Sequence, residues 1–200
     1  MLISLGIMLS GLAIGSFYFS SVAYFSADHP MPVTFARRIM WGFLQTVSLT
    51  FILVVVLLAI TIPATLILSV IAMINPGIAQ FIVLIAVFFL LWMMLPLVFS
   101  PHGIFAYGQN AIASLLTSTR LVRNFLPGTG LFLLIIILLS EGLNVVWRAA
   151  PADSWMTLIG IGGHAFITTG LLAGSFIYYQ GGMRWMQENL EKVVSSIKKA

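Results

Sequence analysis

The sequence contains no cysteine and few charged side chains. The absence of cysteine from all 200 residues excludes disulfides, thiolate metal sites, iron–sulfur clusters and cysteine nucleophiles. Charged residues make up 7% of the chain and hydrophobic residues 60%, whereas a typical soluble domain is about 25% charged. A water-soluble fold could not bury this much apolar surface. The composition therefore predicts an integral membrane protein that is surrounded by the lipid bilayer.

The sequence also lacks the motifs of several enzyme classes. It contains no P-loop, HExxH or GxSxG motif, and no acidic pair or carboxylate cluster suited to glycosyl or phosphodiester chemistry or to a divalent metal. The formal net charge of +4 comes from nine Lys and Arg residues that fall at the ends of apolar segments and form no phosphate-binding surface. We therefore expect no enzyme activity, no catalytic residues, no metal site and no nucleic-acid partner.

Five long apolar stretches predict five transmembrane helices. The predicted spans cover residues 2–25, 42–73, 78–99, 129–147 and 155–180, and a span needs about 20 residues to cross a hydrocarbon core ~30 Å thick. The second stretch is predicted to begin as an interfacial segment and to enter the bilayer near Gly42. Pro63 should kink this helix and act as a hinge. The predicted fold class is all-α, a polytopic transmembrane helical bundle.

Two further segments have the spacing of interfacial amphipathic helices. One is predicted at about residues 106–125, where polar positions such as Ser114 alternate with apolar Ile112 and Leu116 at helical intervals. The other is an amphipathic cytoplasmic C-terminal segment at 183–200, which follows a transmembrane domain at 1–182. His102, just before the first of these helices, is expected to be a loop residue at the interface.

The basic residues predict the orientation of the chain. In the five-span arrangement, three groups of arginines fall on one side of the membrane and are expected at the level of the lipid headgroups: Arg37, Arg38, Arg120, Arg123 and Arg184. The positive-inside rule makes this side cytoplasmic. We therefore expect an outside N-terminus and a cytoplasmic C-terminus, in what is most simply a prokaryotic plasma membrane.

The order of these segments resembles a known group of membrane proteins. A long span with Pro63, a short turn and a second span are followed by Asn110-Ala111-Ile112-Ala113-Ser114, then by Ser118-Thr119-Arg120-Leu121-Val122-Arg123-Asn124, and then by two spans that end at Tyr178-Tyr179. This pattern, over about residues 10–180, resembles the YciC-like and glycerophosphodiesterase-membrane-domain groups. The resemblance implies a polytopic helical fold and little about function, because most members have no established biochemical role. Members often have six spans, one more than predicted here.

Polar side chains inside the predicted spans are the candidates for a functional site. Glu141 and His164 are the two ionisable side chains within these spans, and Asn144 lies one turn from Glu141. On neighbouring antiparallel spans, Glu141 and His164 are predicted at similar depths and can meet. They could form a proton relay or a ligand-binding pair, because ionisable groups within a membrane are costly and commonly functional. Alternatively, Glu141 is protonated, or is hydrogen-bonded to His164 or a backbone carbonyl, and locks two helices together.

Glycines at helical spacing predict close helix packing. The positions are Gly11 and Gly15 in the first span, and Gly160, Gly163, Gly170 and Gly174 in the fifth. A GxxxG step lets two backbones approach, and contact within the chain is favoured over a dimer interface. The glycines near His164 also leave room for a tetrapyrrole ligated by that imidazole. A bis-His haem would then need its second ligand from a partner; otherwise no cofactor is expected.

Two function hypotheses follow. The first is a non-enzymatic subunit, assembly factor or scaffolding component of a membrane complex, with other membrane-protein subunits as partners. The second is a transporter or permease component in which Glu141, Asn144 and His164, together with Gln45 and Thr50, line a polar path.

Overall fold

The computed structural model describes residues 2–26, 34–148 and 154–197. Within these ranges the chain forms no strand and consists of α1 (Leu2–Phe25), α2 (Phe35–Ile74), α3 (Pro76–Met94), a 3-10 helix (Leu95–Phe99), α4 (Ser100–Tyr107), α5 (Ala111–Asn124), α6 (Leu126–Arg148) and α7 (Trp155–Ile197). Five segments are long and apolar enough to cross a membrane: Gly6–Phe25, Phe35–Ile74, Pro76–Tyr107, Leu126–Arg148 and Trp155–Lys192. The predicted all-α fold with five candidate spans is confirmed.

The chain divides into two compact units. One consists of Met1–Phe17 and Val33–Thr119, and the other of Tyr18–Pro32 and Arg120–Ala200. The first unit contains α2, α3, α4 and most of α5. The second contains α6 and α7 with the last turns of α1 and α5.

In the first unit, α2 and α3 form a helical hairpin. Helix α2 continues through Pro63 for 40 residues, a length of ~60 Å at 1.5 Å per residue. The helix has no break between Phe35 and Gly42. Its entry into the bilayer near Gly42 and the hinge at Pro63 stay predictions. Asn75 caps α3 with its side-chain oxygen, which accepts hydrogen bonds from the amides of Gly77 and Ile78 at 3.0 and 3.2 Å.

The helix predicted at 106–125 is divided at Gly108. Gly108 has a φ of 64°, a left-handed conformation that suits glycine and ends α4. Helix α5 then begins at Ala111, and the side chain of Asn110 accepts a hydrogen bond of 2.7 Å from the Ala113 amide. This cap satisfies one of the amides that the first turn of a helix leaves unpaired. This helix is therefore shorter than predicted, at Ala111–Asn124, and its place in the interface stays a prediction.

In the second unit, both long helices exceed their predicted bounds. Helix α6 begins at Leu126, three residues before the predicted span, because Pro127 is tolerated in a first turn where its missing N–H has no partner to lose. Helix α7 runs for 43 residues and passes through Gly181 and Gly182 without a break. The segment predicted at 183–200 is thus the end of α7 and not a separate helix. Residues 198–200 lie outside the described residues.

Candidate functional site

Helices α6 and α7 pack where Trp147 meets two glycines. A Cβ atom at Gly163 would lie 2.5 Å from the Trp147 ring, and one at Gly160 would lie 3.3 Å from the Trp147 carbonyl oxygen. Because 160 and 163 are one turn apart, the two glycines form a single notch that receives the tryptophan. This contact fixes how far along α7 the end of α6 lies.

At their other ends, the same two helices meet around Tyr178. The Tyr178 hydroxyl lies 3.1 Å from the hydroxyl of buried Thr129. The Tyr178 ring stacks on Phe132, with a centroid separation of 4.2 Å and an interplanar angle of 8°. A hydrogen bond and an aromatic stack between neighbouring helices stabilise their pairing in a bilayer, where the hydrophobic effect between helices is absent.

The structure places Glu141 and His164 at similar depths but on the outside of this helix pair. On α6, Glu141 lies six residues before Trp147, or ~9 Å along the helix axis. On α7, His164 lies four residues after Gly160, or ~6 Å along the helix axis. At about 100° per residue, both side chains point to the same side of the pair, as does Thr168. We call this side the Glu141–His164 face.

The side chains of this face are exposed, and the predicted pairing between Glu141 and His164 is absent. Both residues are exposed, whereas Asn144 is half-buried on the α6 face that meets α7. Among the hydrogen bonds of residues 2–26, 34–148 and 154–197, none involves Glu141, His164 or Asn144. The predicted lock between the two helices is therefore not made by these residues. Trp147 with its glycines and Tyr178 with Thr129 hold the helices instead.

The residues around His164 determine how much room a metal ion or a tetrapyrrole would have there. The Trp147 ring fills the space that Gly163 leaves on the α6 side, so that glycine does not open a pocket there. No group of three or more His, Cys, Asp or Glu side chains that could hold a metal ion occurs in the part of the chain that the structure describes. A tetrapyrrole at His164 stays a prediction.

In the first unit, one face of α2 holds the connection between α4 and α5. The Arg38 guanidinium donates to the Phe105 carbonyl, near the C-terminus of α4. The Trp41 indole N–H donates to the Gly108 carbonyl at 3.1 Å. The Gln45 side-chain oxygen accepts from the Ala111 amide at 2.8 Å. These three side chains lie on one helical face and satisfy backbone groups that two adjacent helix ends leave unpaired.

Two expectations are corrected by this arrangement. Arg38 was predicted at the lipid headgroups, but it is buried beneath α4, because its charge is needed at a helix C-terminus, where cations are favourable. Gln45 was predicted to line a polar path, but its side-chain oxygen is used by α5. The spacing of polar positions 38, 41 and 45 at the start of an otherwise apolar helix was the sequence signal for this connection.

Helix α5 buries polar side chains within the protein and exposes apolar ones. Ser114 and Ser118 are fully buried and donate to the carbonyls of Ser100 and Pro96. Apolar Ile112 and Leu116 are exposed instead. In a membrane protein this is the stable arrangement, because lipid covers the apolar face while the hydroxyls find partners inside.

His102 lies in different surroundings from those expected. His102 is a buried residue of α4 and not a loop residue, since α4 extends from Ser100 to Tyr107. Of the arginines predicted at the lipid headgroups, Arg37, Arg120, Arg123 and Arg184 are exposed, and their position at the headgroups stays a prediction.

The predicted packing glycines fall into two groups, which differ in whether another residue lies close to the glycine. Gly160 and Gly163 contact Trp147, as described above. A Cβ atom added at Gly11, Gly15, Gly170 or Gly174 would meet nothing within 4 Å. These four glycines therefore do not make the close contact that Gly160 and Gly163 make, and their part in helix packing stays a prediction.

Comparisons with protein-family models, with curated proteins and with solved structures give no match to this chain. The resemblance to the YciC-like group stays an expectation.

Proposed function

We propose that this protein is a non-enzymatic subunit or assembly component of a membrane complex, and that its Glu141–His164 face binds another membrane protein. The observation that carries the proposal is the exposure of Glu141 and His164 on apolar helices, without a hydrogen-bond partner among the described residues.

In a bilayer, these two exposed side chains would be surrounded by lipid tails unless another protein covers them. A charged side chain at the centre of a transmembrane helix costs about 2.5–3.5 kcal/mol on insertion scales, and such residues normally face a protein interior or an aqueous cavity. Lipid tails offer no hydrogen bonds. A partner helix with donors and acceptors at the same depth would remove this cost and would gain specificity from it.

The arrangement of the face fits a helix as the partner. Glu141, His164 and Thr168 span ~6 Å along the axes of α6 and α7 by residue count, which is little more than one helical turn. Exposed apolar residues surround them, among them Ile137 and Ile161. A transmembrane helix with one or two polar residues and an apolar remainder would be complementary to such a surface.

A transport component is the alternative function, and two side chains that it requires are engaged elsewhere. Gln45 accepts from the Ala111 amide, and Thr50 donates to the Thr46 carbonyl at 2.9 Å. A polar path built from Glu141 and His164 would therefore lack these two contributions. For orientation, the exposed arginines favour a cytoplasmic C-terminus in a prokaryotic plasma membrane.

The proposal is tested by purification from native membranes in a mild detergent, followed by identification and quantification of co-purifying proteins. We expect a stoichiometric membrane-protein partner with the wild type. Glu141→Gln and His164→Leu should each weaken its retention about 3- to 20-fold, since hydrogen bonds between membrane helices contribute roughly 0.6–1.7 kcal/mol. The amount of the chain in the membrane should be unchanged.

Gln80→Leu is the matched control, because Gln80 is an exposed polar residue of α3 in the other unit. It should retain the partner. A chain that purifies alone, or equal loss of the partner with the control, would refute the proposal. Loss of a transport activity at normal partner retention would favour the alternative.

A further inference from the structure

The Glu141–His164 face carries one acidic and one basic side chain at nearly the same depth. The contact between Trp147 and Gly160 puts those two residues at one level. Counted from that level along the antiparallel helices, Glu141 lies ~9 Å and His164 ~6 Å away in the same direction. The two ionisable groups therefore differ in depth by only ~3 Å, the rise of two helical residues.

Within one chain, Glu141 and His164 point in different directions. Trp147 marks the side of α6 that meets α7. Glu141 comes six residues before it and is turned ~120° away from that side, at 100° per residue. The carboxyl group of Glu141 therefore points away from α7. Both side chains are exposed, and neither makes a hydrogen bond among the residues that the structure describes.

A face with one acid and one base at one depth is complementary to a second copy of itself. Two copies of this chain have the same orientation in the membrane, because the same basic residues orient both. A two-fold axis that relates them runs along the membrane normal, and rotation about this axis leaves every residue at its own depth. Each contact of such an interface occurs twice, once in each direction. Glu141 of each copy can then lie opposite His164 of the other, whereas a face with charges of one sign would bring like charges together.

We propose that the membrane protein bound by the Glu141–His164 face is a second copy of this chain, joined by two reciprocal hydrogen bonds between Glu141 and His164. The inference rests on the proposed function, because it names the occupant of the same face. Each pair shares one proton between a carboxyl group and an imidazole and is neutral overall, so neither group remains unpaired in the bilayer. The exposed apolar residues Ile137 and Ile161 lie beside these pairs and would pack against the second copy.

The test measures self-association of the purified full chain in liposomes by energy transfer between donor-labelled and acceptor-labelled copies. The chain contains no cysteine, so Ser195→Cys at an exposed position of α7 takes either label at one site. Dilution with lipid gives the dissociation constant of the dimer. Glu141→Gln and His164→Leu should each raise this constant about 10- to 300-fold, since each variant removes two hydrogen bonds that contribute about 3- to 20-fold apiece.

Two exchange variants distinguish a second copy from any other partner. Glu141→His alone places two histidines opposite each other in both contacts, and His164→Glu alone places two glutamates there. Each variant should therefore associate weakly with itself. In a mixture of the two variants, every contact again joins an acid to a base. The mixed pair should bind within about threefold of the wild type, which is the contribution of one average hydrogen bond between membrane helices.

Gln80→Leu is the matched control, because Gln80 is an exposed polar residue outside the face. It should dimerise as the wild type does. Equal dissociation constants for the wild type and Glu141→Gln would overturn the inference, as would a mixture of the exchange variants that associates no better than either alone. If the exchange variants fail to fold, Glu141→Gln decides the outcome, because it keeps the size of the side chain.

A second copy has the same sequence as the chain that is purified, so its retention from native membranes is detected with two differently tagged copies. A monomeric wild type that retains a different membrane protein, and loses it in Glu141→Gln, would overturn this inference and leave the proposed function intact. A monomeric wild type that retains no membrane protein would overturn both.

Discussion

Replacing Gly42 by alanine should separate α2 from α4. The new Cβ atom would lie 2.5 Å from Cε1 and 3.0 Å from Cδ1 of Phe105. The ring has little room to move away, because Phe105 is 2% exposed and its carbonyl is held by Arg38. Either the ring leaves its rotamer or the two helices move apart.

The expected cost follows from two opposing effects. Overpacking a filled core costs about 1–3 kcal/mol, whereas Gly→Ala within a helix gains about 0.8–1 kcal/mol of intrinsic propensity. Gly170→Ala, whose Cβ meets nothing within 4 Å, should show the gain alone. Gly42→Ala should therefore be about 1–3 kcal/mol less stable than this control. At roughly 2–4 °C per kcal/mol for a chain of this size, its Tm should be about 2–12 °C lower.

The assay is thermal unfolding in a mild detergent, followed by circular dichroism, for Gly42→Ala, Phe105→Leu and the double variant. Leucine lacks the ring atoms that the new methyl group would strike. The double variant should thus be more stable than the sum of the single effects, by about 1–3 kcal/mol of coupling. Additive effects, or a Gly42→Ala variant as stable as Gly170→Ala, would refute the packing of Phe105 on Gly42.

Two other predictions concern buried polar groups. Gln45→Leu removes the hydrogen-bond acceptor of the Ala111 amide, the first amide of α5. It should lower the free energy of unfolding by about 1–3 kcal/mol and speed hydrogen exchange at that amide. The control Gln80→Leu, at an exposed residue of α3, should change neither the free energy of unfolding nor the exchange rate. Thr129→Val keeps the side-chain volume but removes the partner of the Tyr178 hydroxyl, and should lower stability by about 0.6–1.7 kcal/mol. Thr168→Val, at an exposed position, should leave the Tm within a degree of the wild type, and equal Tm values for both threonine variants would contradict the role of Thr129.

Part of this fold was accessible from the sequence because the bilayer acts on each residue separately. The free energy of placing a side chain in hydrocarbon is largely additive over a window of about 20 residues. The spans, the turn at Asn75 and the amphipathic helix near Ala111 were therefore predicted. Boundaries that depend on one residue, such as the end of α4 at Gly108, were less accessible, because glycine also occurs inside helices here, as at Gly181.

The candidate site shows where sequence reasoning ended. Spacing alone placed Glu141 and His164 at similar depths, but it could not decide that both point outward. Their direction depends on which α6 residues meet α7, and that depends on the fit of Trp147 into the notch at Gly160 and Gly163. A packing contact that depends on the complementary shapes of distant residues leaves no periodic pattern in the sequence of either helix.

The sequence by itself determined that this chain is an all-α membrane protein with five candidate spans, because hydrophobicity and helical periodicity are properties of neighbouring residues. The tertiary structure decided which polar groups form hydrogen bonds within the chain. Arg38 and Gln45 bind backbone atoms 67 and 66 residues further along, and Glu141 binds none that the structure describes. Such pairings depend on how the chain brings distant segments together, and a hydrogen bond requires that proximity before its energy is gained.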